Sequence, residues 1–295
     1  RYWGGYLIFL KPLLSILNYQ QIRLLNQIFQ MGIVLWLVFL MKRHGHGEFI
    51  LPMLLTLGSL PIIVNAQSLT YSDVFYISMG GSCALILKWE DWRKSDKLLF
   101  FFFVQGILTS FFDFLTYPLV SFGIPICLYF CMEPDSNFLR ALKIFSLSGL
   151  AWGLGYAGMW SGKWVVASAL TGRNVLQEAL SSVMFRSGAS LEEGTPVRLF
   201  DIVLRNVGEW GQNPCFILIW LFCITTLVLL LKRDQFELLR KHLIFLPIAC
   251  LPFAWYIAVR NHSYIHYFFT YKELTIFAFA IMCFFKKSIS SAQEN

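Results

Sequence analysis

The sequence predicts an all-α polytopic membrane protein, a bundle of about nine transmembrane helices with short interfacial helices on the outer face. Three observations predict it. Of 295 residues, 57% are hydrophobic and 14% charged, where soluble domains run about 45–50% and about 25%; a soluble core cannot hide that much apolar surface, and a bilayer can. Apolar runs close to the roughly 20 residues that cross hydrocarbon recur along the chain. Finally, lysine and arginine collect in alternate connectors, as they do on the cytoplasmic side of membrane proteins.

Residues 1–25 read as an outer interfacial amphipathic segment: Leu10, Leu13, Leu14 and Leu17 recur at helical spacing, and Asn18 is placed to cap the next helix. Spans follow near 26–41, 49–65, 70–87, 98–116, 117–132, 144–162, 213–231, 243–259 and 271–286, so that 26–287 forms the bundle. Pro52 and Pro61 predict that the second span is broken or re-entrant. The long outer connector 163–213 holds two short helices. The first carries Leu176, Ala179, Leu180, Val183 and Met184 on one face. The second opens with Thr195 as a cap and Pro196 at the first helical position, and continues with Phe200, Val203, Leu204 and Val207 on one face. Such helices lie on the membrane, roof a cavity or simply link two spans. The tail 288–295 is polar and is predicted to be disordered and cytoplasmic. The chain opens on Arg1-Tyr2-Trp3, which reads as mid-protein sequence and predicts an N-terminal truncation.

Orientation follows from charge. Lys42-Arg43, Lys88/Arg93/Lys94/Lys97, Arg140/Lys143, Lys232/Arg233/Arg240/Lys241 and Lys286-Lys287 hold fourteen of the 24 basic residues, all on one side if the spans alternate. That side is the cytoplasm, which places the C-terminus inside and residue 1 outside. The net charge of +7 is then explained by topology and needs no nucleic acid.

Polar chemistry collects at the opposite, outer side. The run Arg260-Asn261-His262-Ser263-Tyr264-Ile265-His266-Tyr267 leads to Lys272 and Glu273. On a helix His262 and His266 share a face, but Ser263 stands where a zinc protease has glutamate, so Arg260, protonated histidine and Lys272 point instead to phosphate binding; the bland reading is an interfacial aromatic belt. Asp113 lies among phenylalanines in the tight turn Thr109 to Pro118 and is either a functional acid or a turn cap. Gly153, Gly155, Gly158 and Gly162 read as close helix packing, and Lys163 beyond them either snorkels or meets an anionic head group. Asp73 is an N-cap or a cavity residue. His44-Gly45-His46-Gly47-Glu48 resembles a metal tract and is read as a flexible turn. Seven cysteines in apolar runs, with no C-x-x-C pair, predict no disulfide framework; Cys127 and Cys131 share a helix face and are read as packing rather than as metal ligands. Walker and G-x-S-x-G motifs are absent, which argues against an ATPase or serine hydrolase.

Arg1 to Tyr6, Thr109 to Pro118, Gly153 to Lys163 and Asn261 to Lys272 together resemble an uncharacterised group of polytopic membrane proteins of Gram-positive bacteria, over essentially the whole chain. More distantly, the layout is similar to the GT-C superfamily of glycosyltransferases that use polyprenyl-phosphate-linked sugars. The resemblance implies inverting glycosyl transfer at the outer face of a bacterial plasma membrane, with a catalytic acid in a first outer loop that this chain would lack. Arg260, His262, His266 and Lys272 would bind the lipid phosphate, with Lys163 beside an anionic head group. Asp113 would be the catalytic or auxiliary acid, and Trp3, Tyr6 and Tyr264 would stack on sugar or prenyl groups. The partners implied are membrane lipid and a lipid-linked sugar donor. No cofactor is expected, with a divalent metal left open. The alternatives are a transporter or flippase of a lipid-linked or small polar solute, which predicts mid-span charges and broken helices, and a noncatalytic scaffold.

Overall fold

A computed structural model describes residues 3–134, 137–190, 194, 196–232 and 236–291. Arg1, Tyr2, Thr195, Arg233 and residues 292–295 of the expected tail, all invoked above, lie outside the described residues; residues 288–291, expected to be disordered, instead continue the last helix, with Ser288 and Ile289 buried against the bundle.

The described chain is all-helical, apart from one isolated bridge between Ser190 and Pro196. Helix α1, Leu7–Leu14, is followed by α2, Tyr19–Arg43. Asn18 caps α2 as its residue type predicts: its side chain accepts from the Gln21 amide, and the Gln21 side chain accepts from the Asn18 amide, both at 2.9 Å. Helix α3, Ile50–Ser59, stops before Pro61, and Ile62–Ala66 resumes as a single turn. Of the two prolines expected to break this span, Pro61 does so, because proline removes a helical donor and its ring collides with the preceding turn, whereas Pro52 sits in the first turn of α3, where that donor has no helical partner to lose.

Next come α4, Leu69–Leu87, and α5, Lys97–Phe112. Expected as a span to 116, α5 ends four residues earlier, where the chain turns at Asp113. Helix α6, Val120–Met132, is buried along its whole length. Helix α7, Phe138–Thr171, runs 34 residues, about 51 Å at 1.5 Å per residue, well beyond the expected 144–162.

Two shorter helices follow, α8 (Val175–Ser187) and α9 (Leu199–Gly211), then α10 (Pro214–Lys232). The expected span 243–259 is divided into Phe245–Ala249 and α11, Leu251–Ala258. Helix α12, Arg260–Ile265, and a further turn lead into α13, Leu274–Ser291.

Among the described residues, three stretches are long and apolar enough to cross a membrane: Tyr19–Arg43, Pro214–Leu231 and Tyr267–Ser290. Shorter apolar helices cover Gly47–Ser59, Lys97–Phe112 and Val120–Met132. Large apolar side chains such as Leu35, Phe100 and Leu139 stand more than half exposed on the outside of the bundle, the distribution a lipid-facing surface requires.

Helices α5 and α7 pack most intimately. A Cβ on Gly106 would strike the carbonyl of Trp152, and one on Gly155 the carbonyl of Phe103. Of the glycines expected to serve close packing, Gly155 does so; Gly153, Gly158 and Gly162 face open space.

Two details of the connector differ from expectation. Helix α9 begins at Leu199 and not at Pro196, whose neighbourhood is held by the bridge to Ser190. Its buried stripe is Ile202, Asn206 and Trp210, while Phe200 and Leu204 point outward; the core side is chosen by contact with the 260–273 segment.

The bundle has two chemically distinct ends. At one, Arg93 meets Glu133 at 3.8 Å, Lys287 donates to the carbonyls of Phe130 and Glu133, and Ser290 donates to Glu48. At the other lie the 111–117 turn, the 260–273 segment and residues 3–9.

Candidate functional site

The site is built around the turn that ends α5. Asp113 accepts hydrogen bonds from the Thr116 amide and hydroxyl and is only 3% exposed. Two residues on, Leu115 adopts φ +65°, the left-handed region that a branched side chain disfavours. The conformation is held from outside the turn as well: His262 on α12 binds the Leu115 carbonyl through Nε2 at 2.7 Å. A carbonyl only accepts, so Nε2 carries the proton and Nδ1 is left as an acceptor. Burial also pushes His262 down to about 3 and lowers His266. The protonated His262 expected at the sequence level is thus absent at neutral pH; it acts here as a neutral hydrogen-bonding group. Burial raises Asp113 to about 6, against the pull of the Thr116 hydroxyl and amide.

Behind the turn, Lys272 is buried and donates to Asn65 Oδ1 at 2.6 Å. Its ammonium sits 4.1 Å from the ring centroid of Tyr71 and 5.1 Å from that of Tyr117, and its charge acts on Asp113. Tyr117 in turn donates to the Tyr71 carbonyl. Glu273 accepts from the Leu119 amide at 3.2 Å, while its second oxygen is buried without a hydrogen-bond partner. The 113–117 turn and the 262–272 segment, far apart in sequence, therefore form one buried polar cluster.

Two cavities flank the turn. On the His262 side a polar cleft of about 610 Å³ is lined by Glu178, Ser181, Ser182 and Arg186 of α8 together with His262 and His266. It adjoins a smaller hollow of about 160 Å³ that shares Glu178, Ser182 and Arg186 and adds Lys163. On the other side an apolar cavity of about 830 Å³ is lined by Tyr6, Phe9, Phe29, Ile33 and Trp36, with Phe112 from the turn itself. Its polar end is Asn26, Ser72, Asp73 and Tyr76. Asn26 donates to the Ala66 carbonyl and to Ser72, and Tyr76 donates back to Asn26 at 2.8 Å. Asp73 has one carboxylate oxygen buried without a hydrogen-bond partner. Of the two roles considered for Asp73, cavity residue is the one it occupies; Ser68 stands at the N-cap of α4.

The remaining expected site residues are placed as follows. Trp3 donates to the Met159 carbonyl at 3.0 Å and lies under the Lys163 ammonium, 5.7 Å from its ring. Tyr6 packs edge-on to Phe114 at 5.3 Å and lines the apolar cavity. Tyr264 carries the Arg205 guanidinium 3.9 Å above its ring. Arg260 is half-buried and lines neither cavity.

Sequence reasoning missed Arg186, Glu178, Asn65 and Tyr71. The first two sit on a helix already singled out for its apolar face, and their i, i+8 spacing on that helix was the available signal. Nothing local marks Asn65 as the partner of a lysine 207 residues away.

No protein-family model, curated protein or solved structure matches the chain.

Proposed function

We propose that the chain is a multi-pass glycosyltransferase-like enzyme of a bacterial plasma membrane that takes sugar from a polyprenyl-phosphate donor at the outer face. The observation that carries this reading is the pairing, across one strained turn, of a polar cleft bearing Arg186 with an apolar cavity whose polar end includes Asp73, one of whose carboxylate oxygens is buried without a hydrogen-bond partner. In this reading about nine spans cross the bilayer, the basic end and the C-terminus are cytoplasmic, and α1, α8 and α9 lie at the outer interface. The distant GT-C similarity belongs to the same proposal.

Arg186, with Lys163 beside it, supplies the charge that stabilises a departing lipid phosphate. His266 adds a donor, and the serines and Glu178 suit sugar hydroxyls. Asp73 is the better base, because Asp113 spends its oxygens on its own turn. With Asp73 in its ionised form, an acceptor hydroxyl gives its proton to that carboxylate as its oxygen bonds to the anomeric carbon, and the carbon–phosphate oxygen bond breaks with the electron pair leaving on the lipid phosphate. Asp113 is then a positioning residue that holds the turn and faces Lys272.

The test is sugar transfer from polyprenyl-phosphate donors in membranes of matched protein content. Asp73→Asn is expected to lower turnover by about 10²–10⁴-fold, and Arg186→Ala and His266→Ala to lower it as well. Full activity in all three variants would refute the site. The helix break after α3 and the buried Lys272 and Glu273 favour a second reading, transport of a lipid-linked solute. It predicts movement of an intact lipid-linked sugar across proteoliposomes with no transfer.

A further inference from the structure

At the basic end of the bundle three cysteines converge that the proposed reaction does not use. Cys127 and Cys131 lie one turn apart on α6, and Cys283 faces them from α13. Their three sulfurs lie within 4.8 Å of one another, and all three residues are buried with free thiols. The approach is built into the backbone: a Cβ on Gly123, one turn before Cys127, would come within 2.6 Å of Ile276 on α13. A stripe of small residues accounts for helices this close, and alanine or serine would serve that purpose equally. It does not account for three thiols from two helices meeting at one point.

We propose that Cys127, Cys131 and Cys283 form a three-thiolate site for a soft monovalent metal ion, copper(I). Thiolates select copper(I), zinc or iron–sulfur clusters over hard ions. Structural zinc closes its shell with four ligands, and among the described residues no histidine or carboxylate joins the three sulfurs within that radius. Monovalent copper has a filled d shell and accepts three thiolates in a plane. A planar shell with metal–sulfur bonds of about 2.3 Å sets its sulfurs about 4 Å apart, inside the 4.8 Å that bounds their separations here. Each thiol releases its proton to solvent as its copper–sulfur bond forms, so the filled site is anionic. Lys287, one turn beyond Cys283, holds its ammonium against the carbonyls of Phe130 and Cys131 at 2.7 and 3.4 Å, which places a positive charge beside it.

Met132, the residue after Cys131, lines a cavity of about 380 Å³ together with His44 and His46. Imidazole and thioether groups are exchangeable ligands for the same ion.

The experiment titrates the full chain, purified in detergent without oxygen, with copper(I) buffered by a chromophoric chelator. The wild type is expected to take one copper(I) per chain, with three sulfur neighbours by X-ray absorption. Loss of outer-shell partners alone weakens metal sites about 10–100-fold, so Cys283→Ser is expected to weaken binding at least about 100-fold. The exposed Cys250 is the control, and Cys250→Ser is expected to bind normally. Gel filtration checks that the variants remain folded, and the wild-type absorption spectrum needs no variant. A shell of nitrogen or oxygen, equal binding by wild type and Cys283→Ser, or tighter competition by zinc than by copper(I) overturns the proposal.

Discussion

His262 and Asp113 carry opposite pH signatures, and their difference is measurable. The folded-state value of His262, about 3, lies below its ordinary 6.5, so the unfolded chain binds more protons between those limits. Its contribution to stability is complete above about pH 6.5 and is lost as pH falls toward 3, at no more than about 1.4 kcal/mol per pH unit. Asp113 is raised to about 6 from 3.8, so its contribution is complete below 3.8 and is lost as pH rises to about 6. The two slopes oppose each other between about pH 4 and 6. Replacing His262 by Gln keeps an N–H donor for the Leu115 carbonyl and removes the titration. The stability gap between wild type and His262→Gln, measured by thermal unfolding in detergent, is expected to tilt against the wild type as pH drops through this window. A pH-independent gap would show that His262 titrates normally. The chemistry of these residues was legible in their types and in their crowding at one end. Their protonation was not, because burial is set by α8 and by the Leu115 carbonyl, neither of which is adjacent to His262 in the sequence.

Among the helices, the crossing of α5 and α7 is the contact most sensitive to a single added carbon. Gly106 and Gly155 each bring one backbone against the other, so neither helix can move aside without carrying a rigid peptide with it. Gly155→Leu and Gly106→Ala are expected to cost about 3 kcal/mol or more. Gly153→Ala, two residues along and facing open space, is expected to gain up to about 1 kcal/mol from helix propensity. Thermal unfolding of the three variants checks this, and equal losses at Gly153 and Gly155 would remove the distinction. Helix existence and breaks were readable here because caps and prolines act locally: Asn18 with Gln21 starts α2, and Pro61 ends α3. Which glycine of a cluster touches a neighbour depends on the rotation of α7 against α5, and no residue of the 153–162 run records that rotation. The outward-facing Phe200 and Leu204 teach the same point, since α9 was free to bury either of two faces until the 260–273 segment chose.

At the scale of the whole molecule, the two ends of the bundle make a claim about sidedness that labelling can decide. Glu48, Arg93, Glu133 and Lys287 come from connectors that are distant in sequence yet share one end. Tyr264, Asp113 and Trp3 come from connectors of the other set. If the basic end faces the cytoplasm, as the lysine and arginine distribution predicts, then a cysteine placed at Tyr264 in a background free of other reactive thiols reacts with an impermeant maleimide added to intact cells. One placed at Lys94, whose side chain is 65% exposed, reacts only after the membrane is opened. The opposite pattern would put the cleft and its cations in the cytoplasm, where a polyprenyl-phosphate sugar presented outside could not reach them, and the enzyme reading would fail along with the orientation. Reaction of both positions from one side would mean that the connectors do not alternate, which the exposed apolar flanks of α2, α5 and α10 make physically costly.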